Sequence, residues 1–300
     1  MVGIVILNYN NVDDTVNCVK SIYNYCNGNL FRICIVDNNS CEEVVNSVQL
    51  YLCHIEGYCL VQQGEQTPVK LPRLTYLLNK YNGGYAQGNN CGLSFLKEYK
   101  EIDYYLILNN DVLFTMDIIA PLSQYLYRHK EVGVVSPMLY GRDGKVDYEC
   151  CRYEKSMIDF FVRIFHLERI KAFARIREQN KILKRYPDLI KQDVVESNLP
   201  SGSCMMFRKE TFEAIDFFDP NTFLYFEEDI LWKKLKKMNL KSVLLPAISC
   251  IHLGAGSTSK SSLKIIDDAY RESLIYYLKK YSGFPRIFIA MMLLKTRFCI

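Results

Sequence analysis

The sequence predicts an α/β protein with parallel strand pairing. Two observations carry that prediction. Between Val2 and Asp111, short β-branched runs alternate with segments whose apolar residues recur at helical spacing, the order that leads to parallel strands joined by crossover helices. Three strands also stop on polar clusters, Asn8–Tyr9–Asn10, Asp37–Asn38–Asn39 and Asn109–Asn110–Asp111. Open α/β sheets bind ligands beyond the carboxyl ends of their strands, so this repeated placement is the first sign of a site.

Val2–Leu7 (VGIVIL) reads as a buried strand. Val12–Tyr25 follows as a helix, with Val16, Val19, Ile22 and Tyr23 at helical spacing and Asp13, Asp14 and Thr15 near its start, where they can cap free N–H groups. Phe31–Val36 is the second strand, ending at Asp37, and Cys41–Leu52 the next helix. Residues 53–75 hold a third strand and a loop around Gly64–Pro72; a helix is expected over Asn89–Tyr99 and a strand over Tyr104–Leu108. Residues 155–190 break the rhythm with an apolar stretch, then a basic one, and read as one or two inserted helices. A helical pair covering the site is the favoured reading, because Glu168 and Glu178 dilute the basic charge; an amphipathic patch on an anionic membrane is the alternative. A turn and strand are expected over Leu199–Arg208, helices near Lys209–Ile215 and Ile230–Met238, and short strands at Lys241–Leu245 and Ile248–Ile251. Asp267–Tyr281 reads as a helix and Phe284–Ile300 as a basic, apolar tail.

Composition narrows the function classes. The chain of 300 residues is 49% hydrophobic and 23% charged, which fits a globular protein and excludes a disordered one. A net charge of only +4 counts against a dedicated nucleic-acid binder. Twelve cysteines include no C-x-x-C pair, which argues against a zinc ribbon or a dithiol redox site. The opening MVGIVILNYNN has no basic region or cleavage signal, so the thiols are expected reduced in cytosol. The longest wholly apolar run, Ile287–Leu294, is far below the ~20 residues that span a bilayer.

Four segments carry chemistry. Asn109–Asn110–Asp111 offers a carboxylate for a hard divalent cation, although such residues also make ordinary turns. From Asn82 to Gly92 (NGGYAQGNNCG), four glycines and three asparagines precede a helix, a composition suited to close backbone approach and to negative charge at the helix start. The run fits neither G-x-G-x-x-G nor the P-loop. Glu227–Glu228–Asp229 sits between an aromatic run and an apolar helix, where the acids serve equally as helix-start charges or as a general base. His252, followed by Leu253–Gly254–Ala255–Gly256–Ser257, could face a phosphate-sized pocket.

The order of these segments, with Pro200–Ser201–Gly202–Ser203 between them, resembles family 2 glycosyltransferases, and most of all their rhamnosyltransferase-type branch. The resemblance runs over roughly residues 2–258, with 155–190 matching poorly. It implies a GT-A fold, a Rossmann-like nucleotide-binding mixed sheet with a fused acceptor-binding part and a helical insert. It implies residues 1–258 as the glycosyltransferase domain, with 1–112 the nucleotide-sugar half and 113–258 the acceptor half with its insert at about 155–192. Residues 259–300 are then a helical tail, with membrane association left open. The resemblance assigns Asn8, Tyr9 and Asn10 to the nucleotide pocket, Asp37 to the base, and Asn82 and Gly84 to the nucleotide or sugar. Asn109 and Asn110 join this donor-binding set. Asp111 matches the last acid of an Asp-x-Asp metal motif whose first acid is replaced here by Asn109, and His252 matches a position near the metal. Glu228 is the base if Tyr225 sets the register, Asp229 if it shifts by one; Glu227 completes the catalytic group, and Gly202 and Ser203 match the acceptor-side turn.

The implied activity is inverting transfer of a sugar from a nucleotide-diphosphate donor to a hydroxyl of a saccharide or lipid-linked saccharide in surface polysaccharide biosynthesis. It would use Mn2+ or Mg2+, in the cytoplasm, with peripheral contact at the inner face of the membrane left open. Two other classes stay in view. A sugar nucleotidyltransferase would carry a Gly-rich basic loop after the first strand, and Asn8–Asn11 has neither Gly nor Lys. The acids at 111 and 227–229 count against, without refuting, a non-catalytic nucleotide-sugar-binding protein.

Overall fold

The computed structural model describes residues 1–152, 154–160, 182, 184, 188–254 and 263–298. The expected inserted helices at 155–190 fall mostly outside them.

The chain runs β1 (Val2–Asn8), α1 (Val12–Tyr25), β2 (Phe31–Asp37), α2 (Glu42–Leu52), β3 (Tyr58–Gln62), β4 (Leu74–Leu78), α3 (Gly84–Lys97) and β5 (Tyr104–Asn109). It continues with β6 (Val112–Phe114), α4 (Ile119–Arg128), β7 (Val132–Tyr140), β8 (Val195–Ser197), β9 (Cys204–Arg208) and α5 (Lys209–Ala214). The described part ends with α6 (Glu227–Lys237), β10 (Lys241–His252), α7 (Leu263–Lys280) and α8 (Arg286–Phe298). One mixed sheet, in the order β3-β4-β2-β1-β5-β9-β7-β10-β6 with β8 beside β10, crosses the whole domain. Strands β3, β4, β2, β1 and β5 are parallel, and β9 pairs antiparallel to β5.

Parallel register makes the polar strand ends a site. Asn8 stands opposite Asp37, and Leu7 opposite Asn109, so the three clusters emerge along one edge. Alternation along β1 sends Ile4 and Ile6 into a core with α1 and α2, and Val5 into the opposite core with α3. A third apolar cluster joins Phe160, Phe226 and Ile230 to Leu274, Tyr277, Leu278 and Met292 of α7 and α8.

Several elements differ from expectation. Helix α1 is capped by Asn11, whose side chain accepts from the Asp14 backbone N–H at 3.3 Å, while Thr15 turns inward. Helix α3 begins at Gly84, not Asn89, because Gly88 and Gly92 face the sheet: a Cβ there would lie 2.5 Å from Leu7 and 2.7 Å from Val5. Helix α6 begins at Glu227, not Ile230, so all three acids lie in its first turn. The two expected short strands are one 12-residue strand, β10, with an irregularity between Leu245 and Ser249. The tail from Phe284 contains α8.

Candidate functional site

The strand-end edge is a locked hydrogen-bond network. Asp37 is 1% exposed and accepts from Asn8 Nδ2 at 2.8 Å, the Tyr76 hydroxyl at 2.9 Å and the Ser40 backbone N–H at 2.7 Å. Burial and the Asp37 charge hold the Tyr76 phenol far above its ordinary range, so it remains a donor. Asn8 Oδ1 accepts from Thr15 Oγ1 at 2.9 Å, and Asn110 Nδ2 donates to the same hydroxyl at 2.9 Å. The side chains of Asn8, Asp37 and Asn110 thus brace the loops from beneath. Tyr9 is half-buried on the loop above them. Asn10 takes a positive φ of 51°, and its Oδ1 accepts from the Cys41 N–H at 2.9 Å.

The Gly-rich segment joins the strand-end edge to the acid motif. Asn82 Oδ1 accepts from Asn38 Nδ2 at 2.8 Å and the Gly84 N–H at 2.9 Å. Gly84 has φ +75°, and a Cβ there would lie 1.9 Å from the Phe223 carbonyl oxygen. That contact lets the Tyr85 N–H reach the same oxygen at 2.9 Å. Gly84 therefore secures the junction between α3 and the segment that leads into the three acids.

Antiparallel pairing of β6 with β10 sets Val112 opposite His252 and brings Asp111 beside the imidazole. Asp111 Oδ1 is buried, accepts no hydrogen bond, and lies 3.5 Å from His252 Nε2. The same Nε2 is 3.1 Å from Ser203 Oγ, and Nδ1 is 3.1 Å from Asp147 Oδ2. Burial works against a charged imidazole here, but the neighbouring Asp111 and Asp147 carboxylates outweigh it and raise His252 to about 10. Asp147 is held below the usual carboxylate range, the bond to His252 overcoming burial. Asn109 is half-buried; its N–H donates to the Ser203 carbonyl at 2.9 Å and its side chain faces Ser203 Oγ at 3.5 Å.

Among the described residues no three His, Cys, Asp or Glu side chains converge on one cation position. Asp111 nevertheless fits a cation shared with a ligand: its orphaned, buried carboxylate oxygen suits Mn2+ or Mg2+, whose other positions water and phosphate oxygens fill, and His252 could join it toward Mn2+ only by giving up its proton when the cation binds.

The three acids differ in surroundings. Glu227 is buried, and burial together with the neighbouring Glu228 charge pushes it up to about 8. Asp229 is also buried, with Lys155 Nζ at 4.0 Å. The Glu228 side chain is 18% exposed. Its Oε1 accepts from the Gly202 N–H at 3.1 Å and pairs with Arg152 Nη2 at 3.1 Å. The Tyr85 hydroxyl donates to the Gly202 carbonyl at 2.6 Å. Adjacent residues of one turn, Gly202 and Ser203, thus touch Glu228 and His252 respectively.

Sequence reasoning missed Asp147, Arg152, Tyr85 and Tyr76 as members of this constellation. Nothing local marks Asp147 or Arg152; their partners lie 105 and 76 residues away in the chain.

The fold and the site together define a class. The sequence model of glycosyl transferase family 2 matches residues 3–216, and the chain belongs to that family. Its sheet and helices form a GT-A fold. The chain is 25% identical over 189 residues to N-acetylglucosaminyl-diphospho-decaprenol L-rhamnosyltransferase of Mycobacterium tuberculosis, covering 61% of this chain and 58% of the relative. It is 22% identical over 250 residues to low-salt glycan biosynthesis hexosyltransferase Agl10 of Haloferax volcanii, covering 83% and 66%. The matches thus span 58% and 66% of the lengths of these relatives. Among solved structures, mannosyltransferase PcManGT from Pyrobaculum calidifontis, in complex with GDP-Man and Mn2+, superposes with TM-score 0.57 at 15% identity, covering 98% of this chain and 68% of that one. GalNAc-T7 with UDP, GalNAc and Mn2+ gives TM-score 0.57 at 13% identity over 98% and 54%, and S. aureus TarS 1-349 gives 0.53 at 11% over 99% and 70%.

Proposed function

We propose that this protein is an inverting glycosyltransferase that moves a sugar from a nucleotide-diphosphate donor to a hydroxyl of a saccharide or lipid-linked saccharide in surface polysaccharide biosynthesis. The observation that carries the reading is the Gly202–Ser203 turn, which links a partly exposed carboxylate, Glu228, to the Asp111–His252 pair. Inversion needs that arrangement, a proton acceptor on one side of the sugar and stabilisation of the departing diphosphate on the other.

In this reading the donor lies along the edge formed by the ends of β1, β2, β4 and β5, with Tyr9, Asn10 and Asn82 nearest to it. The acceptor oxygen forms its bond to the anomeric carbon while the bond to the diphosphate oxygen breaks. Glu228 takes the hydroxyl proton as the new bond forms. The Gly202 N–H and Arg152 hold Glu228 in place before substrate arrives. Glu227 stays protonated near neutral pH and adds no charge to the pocket. Asp111 and His252 would hold a divalent cation, which when bound offsets charge gained by the leaving diphosphate.

The acceptor side adds a peripheral membrane contact. No helix among the described residues is long and apolar enough to cross a membrane. Helix α8, however, packs Phe288, Ile289 and Met292 against the body while Ile287, Met291 and Leu294 are 83%, 41% and 57% exposed. From Lys279 to Phe298 the chain has no acidic residue and five basic ones, Lys279, Lys280, Arg286, Lys295 and Arg297. An apolar outer face on a basic helix suits an anionic lipid surface, where a lipid-linked acceptor would be.

Glu228→Gln tests the assignment. Transfer should fall by ~10²–10⁴-fold with nucleotide affinity unchanged. Undiminished transfer would remove Glu228 as the base and pass the role to Asp229.

A further inference from the structure

We infer that α7 is a positioning clamp for the general base, holding the strained turn that aims Glu228 at the acceptor. The inference rests on the glycosyltransferase reading above, and it assigns a role to residues outside the 3–216 span that the family match covers.

The residues immediately before the acids are strained. Tyr225 and Phe226 take φ values of +74° and +70°, which bulky side chains rarely adopt. Two such residues in sequence persist only where the surroundings over-determine them. On one side the Phe223 carbonyl accepts from the Tyr85 N–H at the start of α3. Gln87 of α3 also donates from its Nε2 to the Pro220 carbonyl at 2.9 Å, and Lys155 Nζ lies 5.6 Å from the Phe226 ring, but most of the restraints on the turn come from α7, the residues just after it, and side chains packed with them.

Ser273, 1% exposed, donates its hydroxyl to the Leu224 carbonyl at 2.8 Å. The Tyr225 ring meets Tyr270 edge-on at 5.5 Å. The Phe226 ring lies between Tyr270 and Tyr277, each 5.3 Å away, the second stacked, with Phe160 at 6.2 Å. Seven residues upstream, the buried Asp219 accepts from the Tyr276 hydroxyl at 2.8 Å and from the Tyr281 hydroxyl, with Lys280 Nζ at 3.2 Å. Residues 219–226 are therefore fastened at both ends to one face of α7, and Glu228 follows as the second residue of α6. Since Glu228 must meet a hydroxyl proton at hydrogen-bond distance, a small shift of this turn is felt in the chemical step and much less in donor binding on the far side of Gly202.

Ser273→Ala removes one hydroxyl, and Tyr277→Leu removes the stacked ring while keeping an apolar side chain. Each variant is compared with the wild type in three measurements: transfer kinetics, nucleotide affinity by calorimetry, and amide hydrogen exchange over residues 223–229. The expected result is faster exchange in that segment, kcat lowered by ~10- to 100-fold, and donor KM and nucleotide affinity unchanged. Ser273→Thr, which keeps the hydroxyl, should restore kcat. Unchanged exchange at 223–229 overturns the clamp, and so does a loss of nucleotide affinity that parallels the loss of kcat, because that pattern marks general loosening. A wild-type protein without transfer activity would count against the glycosyltransferase reading alone, and the exchange measurement would still decide whether α7 holds the turn.

Discussion

The strand-end edge and the turn before the three acids are held by opposite means. At the strand ends, short polar side chains of adjacent parallel strands satisfy one another: Asn8, Asp37, Asn110, Thr15 and Tyr76 form a buried network within one structural layer. At the turn before the acids the backbone itself is strained, at Tyr225 and Phe226, and the restraint comes from aromatic packing and from the C-terminal helix α7. The first region is organised by sheet register, which strand pairing supplies as soon as the sheet forms. The second is organised only once the C-terminal helices dock.

The strongest way to break this division is at its junction. Gly84→Ala places a Cβ 1.9 Å from the Phe223 oxygen at φ +75°, so α3 and the base turn must separate. We expect a loss of stability of at least ~2 kcal/mol with transfer abolished, read from urea unfolding and from kinetics. A variant as stable as the parent would show that the two sides are not joined there. Next in size is Asp37→Ala, which leaves the Tyr76 hydroxyl and Asn8 amide without their buried acceptor. It should cost ~2–3 kcal/mol and weaken nucleotide binding, while leaving hydrogen exchange at 223–229 unchanged. Increased exchange there would mean that the two regions share one network.

Glu227 offers a smaller, pH-dependent test. Its pKa is raised to about 8, against ~4.3 in an unfolded chain. The folded protein therefore binds this proton more tightly, and the associated stability, complete below about pH 4, is lost as pH rises toward about 8. Glu227→Gln is neutral throughout and should flatten the decline of the urea midpoint between about pH 5 and 8. An unchanged slope would show that Glu227 is ionised in the fold. The smallest effect on stability, within ~0.5 kcal/mol, is expected for Ile287→Asp and Leu294→Asp on the outer face of α8. Both should abolish co-sedimentation with phosphatidylglycerol vesicles; undiminished binding would remove α8 as the lipid contact.

The same contrast explains what was legible in the sequence. Asn8, Asp37 and Asp111 stood out because a parallel sheet places equivalent strand ends side by side, so a local pattern carries three-dimensional meaning. The Gly-rich helix was readable as a motif but its start was misplaced, since Gly84 and Gly88 have poor helix propensity and earn their positions through tertiary packing. Strands β4, β6 and β7 went unassigned because their short or wholly buried runs show no clear periodicity; helix α4 went unassigned although Ile119, Leu122 and Leu126 recur at helical spacing. Asp147, Arg152 and Ser273 left no trace, because each acquires its role only through contact with a partner many residues away.

On the proposed function, the strand-end edge binds a nucleotide diphosphate with a cation at Asp111 and His252. Calorimetric titration of the purified protein with UDP, GDP and dTDP, with and without Mn2+, tests it most directly. We expect one nucleotide to bind, more tightly with Mn2+, and this Mn2+ dependence to be lost in Asp111→Asn. A folded protein that binds none of the three, with or without Mn2+, would contradict it.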